Sequence, residues 1–245
     1  MPSAQSLTYI LRRNAYRDNS LLLDCFSEAT GRITLVTRFS KRQSNRVKGM
    51  MEPFRLLDTR WTGRGEVLTL NHAEEKRRYS LKGAALIQAT YLNELILRLF
   101  QPMLPLPELF TRYRQLLHLL QEGGNILALM LFELDALAAC GHEFGLWQDD
   151  ANGQVIQPEL NYHFQPERGL FPLRQPASHF ELPNNLNAQS GVLISGELLI
   201  GLRNPETMAD SQWTALRSVL DRMLSLQLAG KTLYARQLLD TSGLN

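Results

Sequence analysis

The sequence predicts an α+β chain: an N-terminal five-stranded OB-fold β-barrel over residues 1–80, then an α-helical domain over 81–245. A small irregular/β subdomain is inserted into the helical part at about 142–185. Three observations predict this. Apolar residues alternate with period two through the first 80 residues. The period changes to 3.6 from about Leu81. The charge is partitioned along the chain: residues 1–80 hold 15 Lys/Arg against 8 Asp/Glu, and the remainder 11 against 16, although the net charge of the 245-residue chain is only +2.

The elements follow in order. Ser6–Arg12 alternates and reads as a first short strand. Ser20–Phe26, SLLLDCF, is a continuous apolar run that suits a buried strand. Glu28-Ala29-Thr30-Gly31 turns the chain, with glycine where positive φ is easiest. Arg32–Phe39 returns as the second arm of a hairpin, with Ile33 and Leu35 on one face and Arg32, Thr34 and Arg38 on the other. Phe54–Trp61 is a fourth strand. Gly63-Arg64-Gly65 turns it into a fifth, Glu66–Asn71. Five short strands in this length fit a small Greek-key barrel of the OB type. An SH3-like barrel has the same strand count, so the count alone leaves both open.

Beyond the barrel, Lys82–Phe100 places Leu86, Ala89, Leu92, Leu95 (or Ile96) and Leu99 on one stripe of an amphipathic helix. Pro102, Pro105 and Pro107 end it. Glu108–Glu122 is a second helix, stopped by Gly123-Gly124. Ile126–Cys140 is apolar nearly all round, as a buried central helix is, and ends at Gly141. Glu133 and Asp135 lie within it, and a buried carboxylate requires a cation or a helix terminus. Asn161–Phe164 and Gly169–Leu173 read as a hairpin, and Asn184–Ala188 as a loop. Val192–Leu202 and Asp210–Leu228 read as helices, the second capped by Asp210 or Ser211. Tyr234–Leu239 is a last short turn of helix.

The basic module suggests a polyanionic partner. Its densest stretch is the connection Ser40–Gly49, where Lys41, Arg42, Arg46 and Lys48 fall within eight residues without an acid. Cations of this kind contact phosphates and release counterions, which binds nucleic acid without sequence preference. Arg32, Arg38 and Arg64 extend the surface over the flanking strands. Phe39, Phe54 and Trp61 are nearby aromatics that either stack bases or fill the core.

Catalytic chemistry finds little support. The sequence has no phosphate loop and no GxSxG elbow, and Gly63-x-Gly65 lacks the third glycine of a dinucleotide site. Ser190-Gly191 and Ser195-Gly196 read as small residues near a helix start. Asp149-Asp150 is the acidic pair that a metal-dependent nuclease would use, and no second acidic cluster accompanies it. Cys140, His142, His163 and His179 lack the paired spacing of a structural zinc site. Neither metal nor cofactor is expected. Cys25 and Cys140 stand far apart in apolar contexts, which fits a reducing cytoplasm. No apolar run is long enough to cross a bilayer, and the N-terminal cations follow the first apolar run instead of preceding it, the wrong order for a secretory signal.

Several local strings, in order and over most of the chain, resemble the bacterial RecO family. They are Asp18–Glu28 with Thr30-Gly31-Arg32-Ile33, Lys41-Arg42 through Lys48-Gly49, Glu52-Pro53-Phe54, and Gly63-Arg64-Gly65-Glu66-Val67. Tyr91-Leu92-Asn93-Glu94-Leu95, Phe132-Glu133-Leu134, Gly141 and Gly230-Lys231-Thr232-Leu233 with Arg236 and Leu238-Leu239 continue the match. The resemblance implies an OB-fold DNA-binding domain followed by a helical domain. It implies a non-enzymatic recombination mediator in DNA repair, cytoplasmic and nucleoid-associated. Such a protein binds single- and double-stranded DNA, anneals complementary strands, contacts RecR and the single-strand binding protein SSB, and so helps load RecA. Relatives carry a four-cysteine zinc finger in the subdomain after the central helix. This sequence retains only Cys140 there, so a zinc-finger-like subdomain lacking zinc ligands is expected. Some relatives have arginines before Phe-Glu-Leu that grip SSB. Met130 and Leu131 stand here, leaving Arg98, Arg112 and Arg114 as the candidate partner-binding cations. The rival reading is an adaptor whose barrel binds protein.

Overall fold

In the computed structural model, residues 3–39, 49–123, 126–166, 168–173, 191–229 and 231–241 are described. Two compact units form, Met1–Phe132 with Leu233–Asn245, and Glu133–Thr232. The division falls neither at residue 80 nor at the ends of the insertion, but inside the central helix.

The first unit opens with strands β1 (Ser3–Ala15), β2 (Ser20–Ser27), β3 (Gly31–Arg38), β4 (Arg55–Thr62) and β5 (Val67–Arg78). They close in the order β1-β2-β3-β5-β4 and back to β1. β3 and β5 run parallel, while the other pairs are antiparallel. This closed Greek-key order is the OB-fold, and it settles what strand counting left open. The core is filled by Ile10, Leu21, Leu23, Cys25, Ile33, Leu35, Leu57, Trp61 and Leu68. Phe39, Phe54 and Trp61 are 7%, 8% and 4% exposed, so none is a stacking surface.

β1 and β5 outrun their predicted lengths. The fifth strand is expected to end at Asn71, but in the charged stretch 72–78, HAEEKRR, Glu74, Glu75, Arg77 and Arg78 each pair with a β4 residue, out to Arg55↔Arg78. Closure of the ladder, not hydrophobicity, sets that end of the strand.

β2 is buried along nearly its whole length because it is covered on both sides. Its odd residues fill the barrel, whereas Phe26 faces outward beside Tyr9 of β1. Helix α2 (Pro107–Gln121) covers that outer patch. Phe110 lies 5.3 Å from Tyr9 and 5.4 Å from Phe26 between ring centroids, and Tyr113 lies 5.0 Å from Tyr9. Each such pair adds about 0.5–1.5 kcal/mol beyond area burial.

Helix α1 (Gly83–Leu99) binds this assembly through the string Tyr91–Leu95. β1 carries a bulge between Ile10 and Arg12, so the Leu11 carbonyl leaves the ladder. The buried Asn93 amide donates to it at 2.9 Å, and Asn93 Oδ1 accepts from the Tyr113 hydroxyl at 2.5 Å. Leu92, Leu95 and Ile96 pack inward, but Leu86, expected on the same stripe, is exposed. Glu94 caps the C-terminal helix α6 (Tyr234–Thr241): its carboxylate accepts from the Tyr234 and Ala235 N–H groups at 3.0 and 2.8 Å. The last helix of the sequence thus belongs to the barrel's unit.

Helix α3 (Ile126–Ala139) is the central apolar helix. In the second unit its Glu133, fully buried, pairs with Arg217 of helix α5 (Asp210–Gln227) at 2.6 Å, the cation that burial requires. The expected hairpin is present as β6 (Asn161–Gln165) and β7 (Gly169–Leu173).

One prediction fails here. Val192–Leu202 is not a helix throughout: Val192–Ser195 is strand β8, completing a sheet of order β7-β6-β8. Val192 and Ile194 bury one face of that strand, while Leu193 faces out. Helix α4 (Gly196–Gly201) begins only after Ser195, whose hydroxyl accepts from the Leu198 N–H. Helix α5 is capped by neither Asp210 nor Ser211. Ala209 holds the cap position, and the Gln212 side chain accepts from its N–H. The Asn184–Ala188 loop lies outside the described residues.

The buried polar groups make two of these features testable. Tyr113→Phe removes the donor to the buried Asn93 oxygen and lowers stability by about 1–3 kcal/mol, read from the urea unfolding midpoint; an unchanged midpoint would show that this hydrogen bond is not stabilising. His163, on β6, is buried with Nδ1 unpartnered, and burial lowers its pKa below 6.5. The folded chain therefore holds the neutral ring while the unfolded chain takes up a proton. Its contribution is complete above the unfolded value and lost as pH falls below it. Thermal melts between about pH 7 and pH 5 should fall less steeply for His163→Gln than for the parent.

Candidate nucleic-acid interface

Ligands of OB-folds lie across β2 and β3, between the β1–β2 and β4–β5 turns. On the outer face of this hairpin the pairs run Ser20↔Arg38, Leu22↔Val36, Asp24↔Thr34 and Phe26↔Arg32. Half of the face is already taken. Phe26 lies under α2, and Arg32 turns its guanidinium to the end of α1, donating to the Leu97 carbonyl at 2.9 Å and to the Phe100 carbonyl. The last carbonyls of a helix have no intrahelical partner, and its C-terminus favours a cation. Burial lowers the Arg32 pKa, with the Asp24 charge opposing. The Arg32 carbonyl also accepts from Met103 N–H at 2.8 Å. Gly31 beside it is indispensable: it sits at φ +73°, and a Cβ there would lie 1.7 Å from the Leu104 carbonyl oxygen. Arg32, expected to contact phosphate, is instead a structural cation.

Among the described residues of the other half, Ser20 is buried, Leu22 and Val36 are half-buried, and the exposed side chain is at its end. Arg38 is exposed at the end of β3. Phe39 N–H donates to the Asn19 carbonyl at 3.1 Å, which ties this end to the β1–β2 turn. That turn, Tyr16–Asn19, carries Arg17 at φ 54°, with its guanidinium 5.1 Å from the centroid of the Tyr16 ring. Arg12 projects from β1 beside Asp24, at 2.8 Å. Asp24 also accepts from Thr34 Oγ1, so the acid of the face is already compensated. Arg64 is exposed in the β4–β5 turn, which feeds Val67, the β5 residue paired with Thr34. β3 is therefore flanked by Arg17 and Arg38 at one end and by the Arg64 turn along its other edge.

Sequence reasoning missed Arg12, Arg17 and Tyr16. The available signal was Tyr16-Arg17-Asp18-Asn19, a polar break between two strand-like segments. Lys41, Arg42, Arg46 and Lys48 lie outside the described residues. Arg55 and Arg78 both pair with Glu75, whose pKa is held low chiefly by the Arg78 hydrogen bond. The partner candidates are spread over two helices, Arg98 in the last turn of α1, and Arg112 and the half-buried Arg114 on α2; Met130 is buried and Leu131 half-buried on α3.

The acidic pair Asp149-Asp150 is engaged in backbone hydrogen bonds. Asp149 accepts from the Ala151 and Asn152 N–H groups, and Asp150 from the Leu170 N–H at 2.7 Å. Asp149 thus closes a turn, and Asp150 reaches across to β7, both within the second unit. Among the described residues no three His, Cys, Asp or Glu side chains gather as metal ligands; His179 is not among these residues. Burial raises the Cys25 thiol and pushes Cys140 up to about 11. No described helix is long and apolar enough to cross a membrane.

The family model for the recombination protein O N terminal matches residues 1–79, and that for its C terminal matches residues 81–236. The chain belongs to the recombination protein O family. It is 33% identical over 236 residues to the DNA repair protein RecO of Methylococcus capsulatus, covering 96% of this chain and 92% of that protein. It is 35% identical to the RecO of Alkalilimnicola ehrlichii over 94% of this chain and 88% of that protein, and 32% identical to that of Photobacterium profundum over 94% and 93%. The family strings have structural reasons: Asn93 satisfies the bulge, Glu94 caps the last helix, and Arg236 lies 5.9 Å from the Tyr91 ring centroid.

The two arginines of the β3 outer face should separate cleanly. Arg32→Ala strands the carbonyls at the end of α1 and lowers the melting temperature, at a cost of about 1–3 kcal/mol. Arg38→Ala should melt like the parent in the same thermal scan. Equal melting of both variants would remove the structural role of Arg32.

Proposed function

We propose that this protein is a recombination mediator in DNA repair that binds single- and double-stranded DNA through the OB barrel and anneals complementary strands. The observation that carries this reading is where the charge lies. Residues 1–132 with 233–245 hold 20 Lys/Arg against 12 Asp/Glu, while residues 133–232 hold 6 against 12. The whole cationic excess therefore belongs to the unit built around the barrel.

In this reading Arg38 and Arg64, joined by Arg12 and Arg17, meet phosphates along the rim of the β2–β3 face. Lys41, Arg42, Arg46 and Lys48, next in sequence after Arg38 and Phe39, are proposed as further phosphate-binding cations. Neutralising phosphates on two strands at once lowers their mutual repulsion and lets bases pair. No bond is made or broken, and no nucleotide is hydrolysed. Family membership supports the wider role: with RecR, the protein helps RecA replace SSB on single-stranded DNA. Arg98, Arg112 and Arg114 are the proposed partner-binding cations.

Annealing of complementary oligonucleotides without nucleotide or metal, across a salt titration, tests the reading. Fast annealing that weakens steeply with salt is the expected result. Reversing charge at Lys41, Arg42, Arg46 and Lys48 together with Arg38 and Arg64 should lower DNA affinity and flatten its salt dependence, by roughly 0.9 in log–log slope for each duplex phosphate left without its cation. Unchanged affinity and slope would refute the DNA surface and leave the adaptor reading, with partner capture as its readout.

A further inference from the structure

An electrostatic surface alone grips duplex and single strand alike, because both carry phosphates. The barrel carries one feature that does not. Among its described Phe, Tyr and Trp residues, Tyr16 has the open ring: it is 38% exposed, whereas the others are buried. It stands in the turn between β1 and β2, one of the two turns that border an OB ligand face.

Backbone hydrogen bonds fix the turn that carries the ring. Tyr16 N–H donates to the Ser20 carbonyl at 3.0 Å, and the Asn19 carbonyl accepts from Phe39 N–H. Arg17 lies over the ring. Arg38, next to Phe39, is opposite Ser20 across the ladder. An exposed aromatic thus stands beside two exposed cations, with Asp18 as the one acid of the turn.

We propose that Tyr16 is a base-stacking platform through which the barrel distinguishes unpaired from paired DNA. This deepens, and rests on, the nucleic-acid reading above. A base of a single strand stacks on the phenol face away from Arg17, while Arg17 and Arg38 hold the neighbouring phosphates. A paired base offers no free face, since both are covered by its neighbours in the duplex. Pairing therefore withdraws the base from Tyr16 and leaves the duplex held through its phosphates alone. The surface favours the substrate of annealing over its product.

Binding of a short oligothymidylate and of a blunt hairpin duplex to the full chain tests this, with Tyr16→Ala, Tyr16→Leu and Tyr16→Phe compared at several salt concentrations. Base–aromatic stacking predicts that the Ala and Leu variants lose about tenfold in single-strand affinity while the Phe variant keeps it. Duplex affinity and both salt slopes should stay unchanged, because every phosphate-binding cation is still present. A 2-aminopurine in the oligonucleotide should be quenched by the parent and the Phe variant, and not by the Leu variant. Loss on both DNA forms alike, or on neither, overturns the stacking assignment while DNA binding by the parent stands. A parent that binds neither form overturns the nucleic-acid reading and the stacking assignment with it.

Discussion

The rings of Tyr9 and Phe26 point out of the barrel, and an outward-facing aromatic pair of that size has to be covered. Phe110 and Tyr113 of α2 cover it. Most else in the first unit depends on that packing. Tyr113, once seated, reaches Asn93, and Asn93 in turn satisfies the carbonyl released by the β1 bulge. Arg32, paired with Phe26 across the ladder on the same outer face, is drawn to the end of α1. The OB ligand face is thereby divided into a half that helices occupy and a half that ends in the exposed Arg38 by the β1–β2 turn.

That division explains why similar arginines do different work. Arg32 and Arg38 are six residues apart on the same side of β3 and look equivalent in a strand pattern. One meets helix carbonyls and the other meets solvent. A cation's role follows from the nearest uncompensated negative end, and for Arg32 that end belongs to an element 65 residues further along the chain. Two buried carboxylates elsewhere are compensated in the same way: Glu133 has Arg217, and Asp149 has the Ala151 and Asn152 N–H groups.

The proposed activity needs little beyond this. In that proposal the exposed cations rimming the β2–β3 face attract two polyanions, and Tyr16 holds unpaired bases. In the same proposal the acidic excess of residues 133–232 disfavours DNA, so the basic unit is the one that binds it.

The sequence by itself determined the barrel, the helices of the first unit, the β6–β7 hairpin, and the basic character of the N-terminal module. Those features are written in short-range periodicity, in turn residues and in local charge. It also carried the demand that a buried Glu133 or Asp135 find a cation or a helix terminus. Only the tertiary structure decided which partner that was, which arginines face solvent, and that Phe39, Phe54 and Trp61 are core while Tyr16 is open. It also decided that β5 continues through a charged stretch and that Val192–Ser195 pairs as a strand before a helix begins. In each of these cases the deciding partner lies far away in sequence: a ladder neighbour, a helix end or a covering ring. Periodicity reports what one segment prefers alone, whereas burial and pairing depend on what the fold brings against it.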